Sequence, residues 1–224
     1  MISHELKCIF IHIPKCAGTS IESALGHLDG HNGRGGQDHR SMRMIQQPAV
    51  STDTFTRRDN IMELYRRIKH HLSPNVTNPN NKITLTRQQY LSYFKFTIVR
   101  DPWDRAYSWY NNYVRDPEHE KSGLSRRVDF NQFLQQESGH GMLASQLYWL
   151  QDSKGNIPMD YIGRFENLAA DFSYVCEQLG VADQALPHKV KGEANGYRDR
   201  YDEEARALVE SVYREEIDLF GYQF

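Results

Sequence analysis

Two short segments of the sequence carry residues that could bind phosphate groups. The first, His12–Ser20, reads His-Ile-Pro-Lys-Cys-Ala-Gly-Thr-Ser and combines a lysine, a glycine and two hydroxyls. A helix that begins just after such a loop offers unpaired backbone N–H groups, and these bind anions. The alternative is a tight strand-to-helix turn with an incidental lysine. We predict an anion-binding loop made of Pro14, Lys15, Cys16, Ala17, Gly18, Thr19 and Ser20.

The second segment, Phe96–Ser108, places Arg100 at the end of a predicted strand, where ligands lie in open α/β sheets. Ser108 follows Asp101 by almost two helical turns, so the two share one helix face. An arginine fork and a hydroxyl together suit a phosphate group. The alternative is a structural ion pair of Arg100 with Asp101 or Asp104.

Two other chemistries that use a loop of this kind do not fit the spacing. The Walker pattern needs its lysine directly after the second glycine, whereas Lys15 precedes Gly18. A phosphatase with Cys16 as its nucleophile needs an arginine six residues later to hold the phosphate. Position 22 is Glu22, which would repel a phosphate. Cys16 is therefore predicted to be a small loop residue.

The elements that must position these segments alternate between strand and helix. Buried strands are predicted at Cys8–Ile13, Phe94–Val99 and Tyr161–Phe165 from apolar, β-branched runs. Capping and periodicity predict helices from Thr19 (with Glu22 in a capping box), after Asp38, around 61–72, from Thr86, from Pro102 behind an Asp101 cap, around 130–134, around 143–150, over 168–179 and over 205–220. The alternation predicts one α/β domain, residues 1–224, with three layers around a mostly parallel sheet.

Composition restricts the class of protein further. The chain has 224 residues and three cysteines, too few and too widely spaced for a disulfide framework or a zinc site. No run is apolar and long enough to span a membrane, and no signal peptide precedes Cys8, so we expect a cytoplasmic protein. Residues 34–127 carry a net charge of +8, and residues 128–224 carry −9. The basic middle suits an anionic ligand, although it also fits solvated helix faces.

The two segments together resemble the motifs of sulfotransferases that use 3′-phosphoadenosine 5′-phosphosulfate, in particular the carbohydrate (Golgi-type) branch and its soluble bacterial relatives. The matching motifs are His-Ile-Pro-Lys-x-Ala-Gly-Thr-Ser and Phe-x-x-Val-Arg-x-Pro-x-x-Arg-x-x-Ser, and the resemblance continues through Gly163–Leu168 to Ile217–Phe224. Residues 45–93 match least and are predicted to be a helical insertion on the acceptor side. The resemblance implies a P-loop-NTPase-like fold.

The resemblance also implies roles for single residues. Lys15, Gly18, Thr19 and Ser20 would hold the 5′-phosphosulfate, and Arg100 and Ser108 the 3′-phosphate. The loop before the last helix adds Lys189, Lys191 and Tyr197 as weaker candidates. The product of the donor would be adenosine 3′,5′-bisphosphate. Transfer would be an in-line displacement in which Lys15 offsets charge on the leaving oxygen, with no metal required.

A hydroxyl acceptor needs a general base, and the resemblance favours His39, in the Gly-rich connection after the first helix, with Glu22 as the alternative. The acceptor is expected to be a carbohydrate, and the basic middle segment suits an anionic glycan; no nucleic-acid partner is expected. Two other functions stay open from the sequence. They are a P-loop-type nucleotide kinase and a binding module that keeps the nucleotide site without catalysis.

Overall fold

A computed structural model describes residues 1–31, 33, 35–74, 76–115, 128–182, 186 and 196–224. The chain divides into two compact units. The first unit contains Met1–Ile13, Ala17–Val99 and Leu147–Lys189, and the second contains Pro14–Cys16, Arg100–Gln146 and Val190–Phe224. The predicted single domain over residues 1–224 stays a prediction.

The first unit contains a four-stranded sheet in the described part of the chain, in the order β1-β2-β3-β4. Its strands are β1 (Ile2–Ser3), β2 (Cys8–Ile11), β3 (Phe94–Val99) and β4 (Tyr161–Arg164). Strands β2, β3 and β4 are parallel, and the short β1 is antiparallel to β2. The predicted α/β class and mostly parallel sheet are confirmed, whereas the three-layer P-loop arrangement stays a prediction.

The register of the central strands sets where the site segments leave the sheet. Phe10 pairs with Phe96 and Ile11 with Thr97, so β2 and β3 end at the same edge. The hydroxyl of Thr97 donates a 2.8 Å hydrogen bond to the Ile11 carbonyl at this end. All four residues of β2 are buried, as their apolar side chains require.

The helices follow the predicted order. Their bounds are α1 (Gly18–Ala24), α2 (Met42–Ile45), α3 (Arg58–Leu72), α4 (Arg87–Ser92), α5 (Pro102–Arg115), α6 (Phe130–Glu137), α7 (Gln146–Leu150), α8 (Leu168–Leu179), α9 (Glu203–Val212) and α10 (Arg214–Phe220). Short 3₁₀ turns lie at Thr52–Phe55, Pro79–Lys82, Gly141–Leu143, Phe165–Asn167 and Arg198–Arg200.

Several predicted helix ends are confirmed in atomic detail. The Asp101 carboxylate accepts from the backbone N–H of Trp103 at 2.8 Å and so caps α5, with Pro102 as its first residue. Thr86 and Gln89 form the reciprocal capping box of α4. Gly180 ends α8 in the left-handed conformation, with φ of 66°.

Two predicted helix ends are wrong. Helix α1 begins at Gly18, not Thr19, and Glu22 turns inward to contact His12 and the backbone of Asp38 instead of closing a capping box. The predicted last helix over 205–220 is two helices, because the backbone at Tyr213 leaves the helical region at φ −111° and ψ 19°.

Helix α3 lies where predicted, but its apolar stripe does not face the core. Ile61, Tyr65, Ile68 and Leu72 are 48%, 59%, 49% and 72% exposed. The face that packs inward is polar, and Glu63 on it is completely buried. The Glu63 carboxylate accepts from Ser41, Arg66 and Tyr148, all in the first unit. These charged and hydroxyl partners make a polar inner face possible.

The second unit packs α5 against α6 and α9, and α9 against α10. Its buried aromatic side chains include Trp103 and Tyr213, and the Tyr213 hydroxyl donates to the Leu143 carbonyl at 2.6 Å. The predicted charged loop 116–127 lies outside the described residues.

Candidate functional site

Two arginines of the second unit hold successive carbonyl groups of the predicted anion loop. Arg100 Nη1 donates to the Lys15 carbonyl at 2.8 Å, and Arg105 Nε donates to the Pro14 carbonyl at 3.0 Å. Arg105 is 1% exposed, and it also donates to the carbonyls of Ala144 and Met142. Chain segments about 90 residues apart are thereby fixed to each other at the loop.

The direction of these carbonyls determines where the loop N–H groups point. Both peptides are trans, so each C=O and the N–H that follows it lie on opposite sides of the backbone. The amides of Lys15 and Cys16 therefore point away from the two arginines. The backbone is left-handed at Lys15 (φ 69°) and Ala17 (φ 61°), a conformation that costs a non-glycine residue roughly 1 kcal/mol or more. Left-handed residues within a turn create the concave N–H arrangements that bind anions.

The Lys15 side chain extends along α5 in the second unit. Its ammonium group lies 6.0 Å from the centre of the Trp109 ring. Burial and, to a lesser extent, the nearby charge of Arg100 lower the pKa of Lys15 to about 8, with Cys16 opposing the shift. An anion bound beside these two cations would relieve their repulsion.

Arg100 is buried, and its guanidinium forms an ion pair with Asp104 at 2.8 Å. The predicted alternative, an Arg100–Asp104 pair, is thus present. Asp104 and Ser108 are four residues apart on α5, so the half-buried Ser108 lies one turn beyond the carboxylate that contacts Arg100. The structure therefore places Lys15, Arg100 and Ser108 along the same helix, with Asp104 as an acidic neighbour of the predicted phosphate receptor.

The start of α1 lies in the first unit. Its N-cap residue, Ala17, makes no side-chain cap, so the first N–H groups of the helix have no capping acceptor from that side chain. A Cβ atom on Gly18 would lie 2.0 Å from the His12 ring. Gly18 is thus required for packing against His12, a contact that the sequence alone does not indicate. Thr19 is half-buried and Ser20 is buried.

His12 and Glu22 form a buried pair behind this helix start. They are 3% and 0% exposed, and His12 Nδ1 lies 3.2 Å from a Glu22 oxygen, outside good hydrogen-bond alignment. Burial alone would raise the pKa of Glu22, but His12 outweighs this effect and the pKa is lowered. Glu22 also accepts from the Asp38 backbone N–H. It therefore has structural partners and does not line the cavity described below.

His39, the predicted base, is half-buried beside this pair. Its ring centre is 4.2 Å from that of His12, and its Nδ1 lies 3.4 Å from the His12 carbonyl oxygen. A carbonyl can only accept, so Nδ1 carries the proton and Nε2 keeps its lone pair in the neutral ring. Burial lowers the pKa of His39 to about 3, and the proximity of His12 contributes to the shift. His39 is therefore unprotonated at neutral pH, as a proton acceptor must be.

His39 lines a cavity of about 500 Å³ in the first unit. Most of the residues that line it have polar side chains, and several are basic, among them Arg66, Lys69 and His70. Asp38 is the acidic residue of the wall, and its partners are Arg40 and the Met1 amino group. Burial opposes ionisation of Asp38, but these two positive charges outweigh it and hold its pKa below the ordinary value. We refer to this space as the polar cavity.

Two predicted site residues, Cys16 and Tyr197, have other surroundings. Cys16 is 1% exposed, with its sulfur 3.6 Å from the Gln146 side chain, which fits a packed loop residue. Tyr197 is buried, and its hydroxyl donates to the Asp101 carboxylate at 2.9 Å, so it contacts the residue that caps α5. Lys189 and Lys191 lie outside the described residues.

The positioning roles of two residues, Arg105 and Gln146, were not predicted from the sequence. Arg105 belongs to the second motif, but no role followed from its spacing. Gln146 is completely buried, and its side chain bonds both the N–H and the C=O of Arg100, at 2.9 and 2.8 Å. A lone glutamine 46 residues away carries no sequence signal for this contact.

Comparison with models of known families gives a match over almost the whole chain. The model of the sulfotransferase family matches residues 1–223. No protein with a curated description matches, and no solved structure matches. In the described part of the chain, no helix is both long enough and apolar enough to cross a membrane.

Proposed function

The chain belongs to the sulfotransferase family, and from that premise we propose that it transfers a sulfuryl group from 3′-phosphoadenosine 5′-phosphosulfate to a hydroxyl acceptor with His39 as the base. The observation that carries the proposal is the pair of contacts from Arg100 and Arg105 to the Lys15 and Pro14 carbonyls. These contacts direct the amides of Lys15 and Cys16 away from the arginines, so the loop amides and the Arg100 guanidinium offer separate sites for negative groups, as a donor with two phosphate positions requires.

The donor, when bound, supplies the activated sulfuryl group and a bisphosphate leaving group. We assign its 5′-phosphosulfate to Lys15, Gly18, Thr19 and Ser20, with the neighbouring backbone of Pro14, Cys16 and Ala17. Its 3′-phosphate is assigned to Arg100 and Ser108. The ammonium of Lys15 offsets negative charge on the leaving oxygen. Arg105 and Gln146 act by positioning the loop and Arg100, and Tyr197 acts by holding Asp101.

His39 accepts the proton of the acceptor hydroxyl at Nε2. The acceptor oxygen forms a bond to sulfur as the bond from sulfur to the leaving oxygen breaks, and the proton passes to the imidazole. Nδ1–H directed at the His12 carbonyl keeps the ring in the required tautomer. Burial lowers the pKa of His39, so the ring enters each cycle neutral, with the Nε2 lone pair able to accept a proton.

We also propose the chemical class of the acceptor. A carbohydrate acceptor follows from the resemblance, and the basic wall of the polar cavity suits an acidic one. The P-loop-like fold, the single domain and the cytoplasmic location also remain predictions.

The test uses sulfur-labelled donor with a panel of simple glycosides and alcohols, in the presence of a chelator. Label transfer that is lost in Lys15→Ala and His39→Ala supports the proposal. Loss of transfer under chelation would contradict the prediction that no metal is required. Failure to bind adenosine 3′,5′-bisphosphate in a calorimeter would falsify the donor assignment.

Two alternatives give different results in the same assays. A nucleotide kinase would bind ATP with magnesium and transfer phosphate from it. A binding module without catalysis would bind the bisphosphate normally and transfer nothing.

A further inference from the structure

The apolar stripe of α3 is exposed in the described part of the first unit. Ile61, Tyr65, Ile68 and Leu72 follow one another at spacings of four, three and four residues, so they form a single apolar face. The opposite face is fixed in place by the contacts of the buried Glu63. The helix therefore cannot rotate its stripe into the core without removing these contacts.

The C-terminal half of this stripe borders a cavity of about 480 Å³ in the first unit. Ile68 and Leu72 line it, whereas Ile61 and Tyr65 do not. Six further apolar side chains line it, which are Ile2, Met44, Ile45, Val50, Leu64 and Leu85, and basic side chains including Arg67 and Lys82 line the rest. We refer to this space as the apolar cavity. Its wall matches the surface of a hydrocarbon chain.

The apolar cavity adjoins the polar cavity that contains His39. The two share three lining residues, Arg40, Met44 and His70. These side chains border both spaces, so a molecule that passes them would place an apolar part in the first space and a polar part in the second. Their combined size exceeds what a single sugar ring fills, since ligand pockets for whole drug-sized molecules are about 300–1,000 Å³.

The charge around both spaces is positive. Arg67 and Lys82 line the apolar cavity and Lys69 lines the polar one, and none has a carboxylate within ion-pair distance among the described residues. Arg67 and Lys82 instead donate to backbone carbonyls, which leaves their charge uncompensated. Arg40, in contrast, is neutralised by Asp38. A negatively charged polar head would complement these cations.

We propose that the acceptor is an anionic amphiphile, with its hydroxyl-bearing head in the polar cavity at His39 and its hydrocarbon chain in the apolar cavity. This inference rests on the proposed function, because it assigns the acceptor of that same reaction. It is compatible with a sugar as the head and adds the chain as a second determinant of affinity.

The test is calorimetric titration of the protein with octyl and methyl β-glucuronide, below the micellar range and with adenosine 3′,5′-bisphosphate present. A buried methylene strengthens binding by up to about fourfold, so the octyl compound should bind at least roughly tenfold more tightly. Octyl β-glucoside, which has the same chain and a neutral head, should bind more weakly than octyl β-glucuronide.

A matched pair of variants tests the location. Ile68→Ser removes a cavity-lining side chain that is 49% exposed, and Ile61→Ser removes one that is 48% exposed on the same helix but outside the cavity. Ile68→Ser should lose most of the octyl advantage, and Ile61→Ser should retain it. Circular dichroism confirms that both variants fold.

Four other results would contradict the proposal or one part of it. Equal affinity for the octyl and methyl compounds overturns it, and so does an equal loss in both variants, which indicates adsorption to the stripe. Equal binding of the glucoside overturns the anionic head. Chain-dependent binding without bisphosphate binding instead overturns the proposed function and leaves the cavity assignment standing.

Discussion

The guanidinium of Arg100 donates a 2.8 Å hydrogen bond to the carbonyl oxygen of Lys15, 85 residues earlier in the chain. This contact joins the two sequence motifs through the backbone of one and the side chain of the other. It fixes the loop carbonyl on the arginine side, and the Lys15 ammonium remains near the same guanidinium. A receptor with two cations so close is stable only with negative charge nearby, and Asp104 supplies part of that charge.

Asp104 should therefore compete with a phosphate group for Arg100. We expect Asp104→Asn to bind adenosine 3′,5′-bisphosphate as tightly as the wild type or up to about tenfold more tightly, because a competing carboxylate is removed. Arg100→Lys should weaken binding by about tenfold or more, because lysine lacks the planar fork. Calorimetry measures both. If both variants weaken binding equally, Arg100 and Asp104 form a structural pair and not a phosphate receptor.

Lys15 should give donor binding an alkaline limit. Its pKa in the free protein is about 8, and the bound anion favours the protonated form. The dissociation constant for the bisphosphate should thus rise from about pH 8 upward, by up to roughly tenfold per pH unit. Lys15→Arg keeps its charge throughout and should show a flat profile over the same range. A flat profile in the wild type as well would show that the Lys15 charge does not contribute to binding.

His39 should be needed for transfer and not for donor binding. His39→Gln is expected to lower kcat by about 10²–10⁴-fold, the usual contribution of a general base, with bisphosphate affinity little changed. His140→Gln is a suitable control, because His140 is exposed and does not line the polar cavity. Retention of wild-type kcat in His39→Gln would move the base to another residue.

The low pKa of His39 also has a consequence for stability. Between about pH 3 and about pH 6.5 the unfolded chain binds a proton at His39 that the folded protein does not bind. The free energy of unfolding of the wild type should therefore fall as pH decreases through that window. The free energy of unfolding of His39→Gln should fall less steeply over the same range. Urea unfolding at several pH values measures the difference.

The sequence was sufficient to predict elements whose signals are local. The strands Cys8–Ile11 and Phe94–Val99 follow from apolar runs, and the cap at Asp101 follows from an acidic residue before proline. The two-residue strand Ile2–Ser3 was missed, because so short a segment has no periodicity. The break at Tyr213 was missed because apolar residues continue at helical spacing across it.

Properties that depend on tertiary partners could not be predicted. Periodicity located the stripe of α3 but not the direction it faces, since that depends on Ser41 and Tyr148 reaching Glu63. In the site, residue types and order predicted Lys15 and Arg100. The roles of Arg105 and Gln146 depend on which carbonyl and amide groups the fold places beside them.

Gly18 should be required because of His12. Gly18→Ala would place a Cβ atom inside contact distance of the His12 ring, and overpacking of this kind costs about 1–3 kcal/mol. In a His12→Ala background, Gly18→Ala should cost less free energy of unfolding than it costs in the wild type, because the clashing ring is gone. A double-mutant cycle by urea unfolding measures the coupling. Strict additivity of the two substitutions would contradict the packing role of this glycine.

In helix α3, replacing a polar residue of the inner face should reduce the free energy of unfolding more than replacing an apolar residue of the exposed stripe. Glu63→Ala removes a completely buried carboxylate and leaves Ser41, Arg66 and Tyr148 without their acceptor, so we expect a loss of about 3–5 kcal/mol. Ile61→Ser, on the exposed stripe, should change the free energy of unfolding by no more than about 0.5 kcal/mol. Urea denaturation of the two variants against the wild type gives both values. A larger loss in Ile61→Ser than in Glu63→Ala would mean that the apolar face is the one that packs inward.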